Sequence, residues 1–87
     1  MYMANTSFIL RIVTVGQELF NGDAIELHAK GTAGQLTILA HHEPLMTRIE
    51  RCTLAVVAAD GTTQEFPIIS GVLEVANNEA VLLCSQE

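Results

Sequence analysis

The sequence is poor in aromatic and basic residues. It has no Trp, 5% aromatic residues in all, and four Lys and Arg against ten Asp and Glu, for a formal charge of −6 over 87 residues. Because so few cations cannot neutralise a phosphate backbone, nucleic acid is not expected as a partner. An anionic membrane surface is disfavoured for the same reason, and no direct lipid insertion is expected.

Long hydrophobic runs and paired cysteines are also missing. The longest uninterrupted apolar run, residues 54–59, has six residues, whereas a membrane-spanning helix needs about 20. Residues 1–7 lack the basic and apolar pattern of a secretory signal. Cys52 and Cys84 have no CxxC spacing, so we interpret them as small hydrophobes in a reducing compartment, with a disulfide between them left open.

What the sequence does have is a high content of apolar and β-branched residues. Hydrophobic residues make up 49% of the chain, and Val, Ile and Thr together supply 22 residues, which favours extended backbone. Turn-forming residues break the chain roughly every 8 to 12 residues or closer, a spacing typical of a β-sandwich or small barrel. The predicted breaks are Asn21-Gly22, 31–34, Asp60-Gly61, Ser70-Gly71 and Asn77-Asn78.

The segments between these breaks predict strands. Residues 8–15 are nearly continuously apolar, which predicts a strand covered on both faces. Residues 24–30 alternate, with Ile25, Leu27 and Ala29 predicted on the buried face. The remaining predicted strands are 36–39, 53–59, 62–69, 72–76 and 80–84.

Turn chemistry predicts how these strands connect. Asp60-Gly61 and Asn77-Asn78 tolerate the positive φ of tight hairpin turns, so each is predicted to join two neighbouring strands. The glycine-containing segment 31–34 lies between strands and is interpreted as a hairpin rather than a phosphate loop. Pro67 within a predicted strand indicates an edge strand or a bulge.

One segment departs from the strand pattern. Residues 43–51 predict a helical turn, with Leu45 and Ile49 as its apolar pair. Taken together, the patterns predict an all-β, antiparallel β-sandwich formed by one domain at residues 7–87, preceded by an N-terminal tail at residues 1–6.

Residues that could carry chemistry are scattered along the chain. The candidate metal ligands are His28, His41, His42 and Cys52. They lack metal-ligand spacing, and adjacent histidines on a strand point to opposite faces. Ser70 stands in no Gly-x-Ser-x-Gly elbow. We therefore predict no catalytic residues, no cofactor and no metal, and favour an interaction domain. The alternative hypothesis is a small β-barrel that binds a metal or small ligand through these four residues.

Three blocks of the sequence carry a family resemblance. The first is Phe8-Ile-Leu-Arg-Ile-Val-Thr-Val15, followed by Gln17-Glu-Leu-Phe20-Asn-Gly22. The second is Gly34-Gln-Leu-Thr-Ile-Leu-Ala-His-His42-Glu-Pro44-Leu45. The third is Ile69-Ser-Gly71-Val-Leu-Glu-Val75, a turn, and Ala80-Val-Leu-Leu-Cys84. In this order they cover nearly all of residues 7–85, and together they resemble the epsilon subunit of the rotary ATP synthase.

This resemblance implies a fold and a role. The fold is a β-sandwich of about ten short strands. The role is that of a non-catalytic central-stalk subunit beside the gamma subunit and above the c ring, which helps couple proton or sodium-ion flow to ATP synthesis. Such a subunit lies peripherally on the cytoplasmic face of the inner (plasma) membrane, or at the organellar equivalent. The resemblance places Ala33, Gly34, Gln35, His42 and Pro44 at or near the c-ring contact, and packs one sandwich face on gamma.

The chain also departs from the family pattern. Ala40-His41 and Arg51-Cys52 stand where the family usually has Pro-Gly, and Val72 replaces the second Gly of Ser-Gly-Gly. Glu43 adds a charge beside the implied contact. Epsilon subunits commonly carry a C-terminal pair of helices that can bind ATP and inhibit hydrolysis. The chain stops at Glu87, where those helices would begin, so it is either a natural short form or one domain of a longer subunit. In the first case, no helical hairpin and no nucleotide site are expected.

Overall fold

The computed structural model describes residues 6–87, in which every regular element is a strand. Residues 1–5 of the predicted N-terminal tail lie outside the described residues. The all-β prediction is confirmed, with eight strands where the resemblance implies about ten. They are β1 (Phe8–Thr14), β2 (Gln17–Gly31), β3 (Gly34–Ile38), β4 (Leu45–Ile49), β5 (Cys52–Ala58), β6 (Thr63–Ile68), β7 (Ser70–Ala76) and β8 (Glu79–Ser85).

The 15-residue strand β2 is shared between two layers. Its first half pairs antiparallel with β1, and its second half pairs with both β3 and β5. Layer one is therefore β1-β8-β7-β4, and layer two is β3-β2-β5-β6. A single further pair, Gly31 with Ile49, links β4 to β2. Because β1 at the other end of layer one also pairs with β2, both ends of layer one meet the same strand.

A β-bulge in β2 explains one wrong prediction. Ala24 pairs with Ala58 and Glu26 with Val57, so Ile25 is an extra residue on the β2 side of the ladder. Ala24 and Leu27 are fully buried, whereas Ile25 is only half-buried. Ile25 was predicted on the buried face with Leu27 because strict alternation does not register an inserted residue.

The core consists of hydrophobic side chains from all eight strands, and the described residues bury no polar side chain. Burying each large side chain contributes about 1.5–3 kcal/mol. The largest fully buried residues are Leu10, Ile12, Leu27, Ile38, Leu54, Leu73, Leu82 and Val56.

Strand β1 is covered on one face only. Phe8, Leu10 and Ile12 are buried, whereas Ile9 and Arg11 are exposed. The prediction of cover on both faces is wrong. β1 lies between β2 and β8 in the hydrogen-bonded direction, and within residues 6–87 its outward residues Ile9 and Arg11 are left exposed.

The predicted helical turn at residues 43–51 is also wrong. Residues Leu45–Ile49 form β4, which pairs antiparallel with β7 from Leu45–Val75 to Ile49–Gly71. Within β4, Met46 and Arg48 are exposed and Ile49 is buried, which is a period of two over only five residues. The ladder to β7 satisfies the backbone groups, so tertiary pairing decides the conformation of a segment too short to reveal its period.

The turn predictions have mixed outcomes. Asp60-Gly61 connects β5 to β6, residues 32–33 connect β2 to β3, and Asn77-Asn78 connects β7 to β8, as predicted. Asn77 and Asn78 have φ of 54° and 61°, the left-handed conformation that asparagine tolerates. Asn21-Gly22, predicted as a break, instead lies inside β2 opposite Leu10 and Arg11, because pairing with β1 overrides local turn preference.

Pro67 lies on an edge strand, as predicted. Strand β6 pairs with β5 and is the last strand of the path, and Pro67 stands opposite Thr53. A proline that donates no N–H is tolerated there and discourages pairing with another chain.

We predict that Gly71→Ala destabilises the domain. A Cβ at this position would lie 2.9 Å from the Leu83 carbonyl oxygen and 3.0 Å from Leu82 Cδ2, too close without a shift of β8. The expected loss in the free energy of unfolding is about 1–3 kcal/mol, measured by urea unfolding. Gly22→Ala, whose Cβ would meet nothing within 4 Å, is the matched control; an equal loss in both variants would contradict the prediction.

We also predict a pH-dependent contribution from the β5–β6 turn. The Thr62 hydroxyl and then the Thr62 N–H donate to Asp60 Oδ1, at 2.7 and 2.9 Å, and lower the pKa of Asp60 below its ordinary value. The contribution to stability is fully present above pH ~4, the unfolded aspartate value, and is lost as the pH falls through the lower folded pKa.

NMR titration of Asp60 checks this prediction. Thr62→Val removes the hydroxyl donor and should move the Asp60 pKa back toward its ordinary value, whereas Thr63→Val, the neighbouring control, should leave it unchanged. An identical Asp60 titration in wild type and Thr62→Val would disprove the assignment.

Candidate partner-binding surface

The β2–β3 turn borders a small, largely apolar cavity beside β4. Its volume is about 210 Å³. The lining residues are Gly31, Thr32, Ala33, Gly34, Gln35, Leu36, Leu45 and Thr47. The structure therefore brings Ala33, Gly34 and Gln35, three of the predicted contact residues, together around one concavity.

The other two predicted contact residues, His42 and Pro44, lie beyond the opposite end of β3, in the loop at residues 39–44. They do not line that cavity. The His42 N–H donates to the Leu39 carbonyl at 3.2 Å, which closes a turn, and His42 Nδ1 lies 2.8 Å from the Glu43 carbonyl oxygen, to which it donates. His42 is half-buried and Pro44 is exposed. The five predicted residues thus form two sets rather than one.

A larger surface, missed from the sequence, lies on the outer side of layer one. We define the apolar face as exposed Ile9, Met46, Val72 and Leu83 with half-buried Val13 and Val81. Strand pairing makes its centre continuous, because Val13 stands opposite Leu83 and Leu83 opposite Val72. Two charged residues lie on the same side, Glu74 between Met46 and Val81, and Arg11 opposite Val81. Leu83 is 57% and Met46 67% exposed, so every strand of layer one presents an unburied large hydrophobe.

The outer side of layer two is different in character. It carries Glu26, His28 and Lys30 from β2 and Thr37 from β3. The other exposed large hydrophobes of the described residues, Val15 and Leu39, lie in loops rather than on this side. The sequence does not reveal the apolar face, since the outward positions of β7 and β8 mix apolar Val72, Val81 and Leu83 with polar residues. The hydrophobes become neighbours only when the strands of layer one pair.

His28 belongs to a cross-strand hydrogen-bond chain and not to a metal site. Its Nε2 lies 2.7 Å from Glu26 Oε1, and the Thr37 hydroxyl lies 3.2 Å from its Nδ1. The ring thus bridges a carboxylate on its own strand and a hydroxyl on β3. Across residues 6–87, no three His, Cys, Asp or Glu side chains come together in a group that could hold a metal ion. The hypothesis of a metal site at His28, His41, His42 and Cys52 therefore finds no support.

Both cysteines are free, half-buried and packed against the core. Burial raises the pKa of the Cys84 thiol. A protonated thiol is a poor nucleophile and a poor metal ligand, so Cys84 is a packing residue. Within the described part of the chain, no helix is long and apolar enough to cross a membrane.

Fold and surface together define a small β-sandwich whose two outer sides differ, one rich in exposed hydrophobes and the other polar. Residues 7–86 match the family model of the ATP synthase, Delta/Epsilon chain, beta-sandwich domain. The chain belongs to this family.

Curated relatives agree with this assignment. The ATP synthase epsilon chain of Clostridium botulinum is 34% identical over 80 residues, which cover 92% of this chain and 59% of that protein. The epsilon chain of Xanthomonas campestris is 41% identical over 64 residues, covering 74% of this chain and 46% of that protein. The chain thus spans about half the length of the curated relatives it matches.

Solved structures share the fold. A chain of the Euglena gracilis mitochondrial ATP synthase, solved with OSCP, F1 and the c-ring, superposes with a TM-score of 0.86 at 16% identity, over 93% of this chain and 52% of that one. A chain of the Tetrahymena thermophila mitochondrial enzyme, in its central stalk and c-ring, superposes with a TM-score of 0.74 at 15% identity, over 90% and 63%. At these identities, the likeness concerns the fold.

Proposed function

We propose that this domain is a non-catalytic central-stalk component of a rotary ATP synthase, which packs on the gamma subunit and the c ring and helps couple ion flow to ATP synthesis. Family membership supports the class of complex. The observation that carries the proposal is the apolar face, because exposed apolar patches on small domains usually serve to bind a partner. The domain is then peripheral to a membrane, as part of the complex, on the cytoplasmic face of the inner membrane or its organellar equivalent.

The apolar face is the surface we assign to gamma. Two subunits that turn together transmit torque through the contact between them. Such a contact needs a broad, well-packed hydrophobic area rather than isolated polar bonds. Layer one offers such an area across four strands, whereas the outer side of layer two is polar and suited to solvent.

Positively charged residues at one end of the apolar face indicate which chemical groups its partner should carry. Arg48 stands opposite Val72, and a cavity of about 400 Å³ at this end is lined by Arg48, Arg51, Val72 and Leu83 among others. Arg11, opposite Val81, lies on the same side, so three of the four basic residues of this acidic chain lie on or beside the apolar face. The matching surface on gamma is expected to be apolar with a carboxylate opposite Arg48.

The β2–β3 turn is the surface we assign to the c ring. Thr32 and Ala33 are exposed at its tip, and the apolar cavity beside it can receive a side chain from a polar loop. Ala33, Gly34 and Gln35 form this contact, and the loop that bears His42 and Pro44 forms a second one.

The gamma assignment predicts that Leu83→Glu weakens binding to gamma at least about tenfold, because a carboxylate at a buried apolar contact is left without a partner. Because Leu83 is 57% exposed, the domain should still fold, as circular dichroism can verify. The measurement is co-purification with the gamma subunit of the same organism, followed by calorimetric titration.

Thr53→Glu is the matched control for this variant. It adds the same charge on an exposed residue of layer two and should leave gamma binding unchanged. Gamma binding by Leu83→Glu equal to that of wild type and Thr53→Glu would rule out the apolar face as the gamma contact.

The c-ring assignment predicts that Ala33→Glu weakens capture of the domain by detergent-solubilised c ring while gamma binding persists. Ala33 is at the exposed tip of its turn, so the charge alters the contact without disturbing the core. Ala59→Glu, also exposed but in the β5–β6 connection, is the control. If Ala59→Glu reduces capture as much as Ala33→Glu, the β2–β3 turn is not the contact.

A further inference from the structure

Asn78 bonds to two chain segments that are distant in sequence. Its Oδ1 accepts from the His41 N–H at 2.7 Å, and its Nδ2 donates to the Ser7 carbonyl at 3.0 Å. Its own carbonyl accepts from the Ile9 N–H at 3.2 Å. The amide orientation is unambiguous, since a backbone N–H can only donate and a carbonyl can only accept.

The bond to His41 falls at a strained position. His41 has φ of 61°, in the left-handed region that residues with a β-carbon rarely occupy. His41 also precedes the residue whose N–H closes the turn to Leu39. A non-glycine residue persists in this conformation only where its surroundings hold it, and Asn78 supplies such a contact.

We propose that Asn78 is the positioning residue of the loop at residues 39–44, and that through His41 it orients His42 and Pro44 toward their partner. The functional half of this inference rests on the proposed contact between this loop and the c ring. The conformational half stands on the hydrogen bonds alone. Asn78 can form its own turn and also hold two other segments, because it tolerates φ of 61° while its side chain reaches His41 and Ser7.

Asn78→Gly and Asn77→Gly test the proposal on the full chain. Glycine keeps the positive φ of the β7–β8 turn in both variants, but only Asn78→Gly removes the side-chain bonds. We expect the His41 amide to exchange roughly five- to tenfold faster in Asn78→Gly, with Asn77→Gly unchanged. Asn78→Asp retains an acceptor for His41 and should preserve protection of that amide.

Capture by detergent-solubilised c ring is the second readout. Asn78→Gly should weaken capture severalfold at an unchanged gamma affinity, while Asn77→Gly behaves as wild type. Unchanged His41 exchange in Asn78→Gly would overturn the conformational half, and faster exchange with full capture would overturn the functional half. Failure of the wild-type chain to bind c ring would instead overturn the proposed function, and the exchange data would still decide the role of Asn78 within the domain.

Discussion

The structure depends on one strand that belongs to both layers. Over its 15 residues, β2 pairs with β1, β3 and β5, and at Gly31 also with β4. The bulge at Ile25 lies where β2 passes from the first layer to the second. A bulge bends a strand and increases its local twist, which allows β2 to turn from one layer into the other. Without this shared strand, the two layers would be joined only by loops, and the core would be open along one side.

The pattern of the sequence predicts much of this fold, for reasons visible in particular residues. Asp60-Gly61 and Asn77-Asn78 form turns because their side chains and positive-φ tolerance act locally. β4 and the Asn21-Gly22 segment could not be predicted this way, since pairing with distant strands decides both. The candidate partner-binding surface also has a predictable and an unpredictable part. The β2–β3 turn can be predicted from its local turn residues, whereas the apolar face exists only once β1, β8, β7 and β4 stand side by side.

The two outer sides of the sandwich show where the apolar content of the chain goes. The core takes the inward positions of every strand, and layer two closes the molecule with polar outward positions such as Glu26, His28 and Thr37. Layer one leaves its outward hydrophobes unburied. The high apolar content of the sequence is therefore divided between an internal core and an exposed outer side, which composition alone cannot separate.

The parallel pairing of β1 with β8 has a consequence for how the chain is made. Ile9 stands opposite Glu79, and these residues lie at opposite ends of the sequence. During synthesis β1 can pair early with β2, but its other edge waits for β8, the last strand of the sandwich, to leave the ribosome, because contacts of such sequence separation form late. Until then β1, with Ile9 and Leu10, presents a free hydrophobic edge. The partly made sandwich is therefore most prone to aggregation in the interval before β8 pairs with β1.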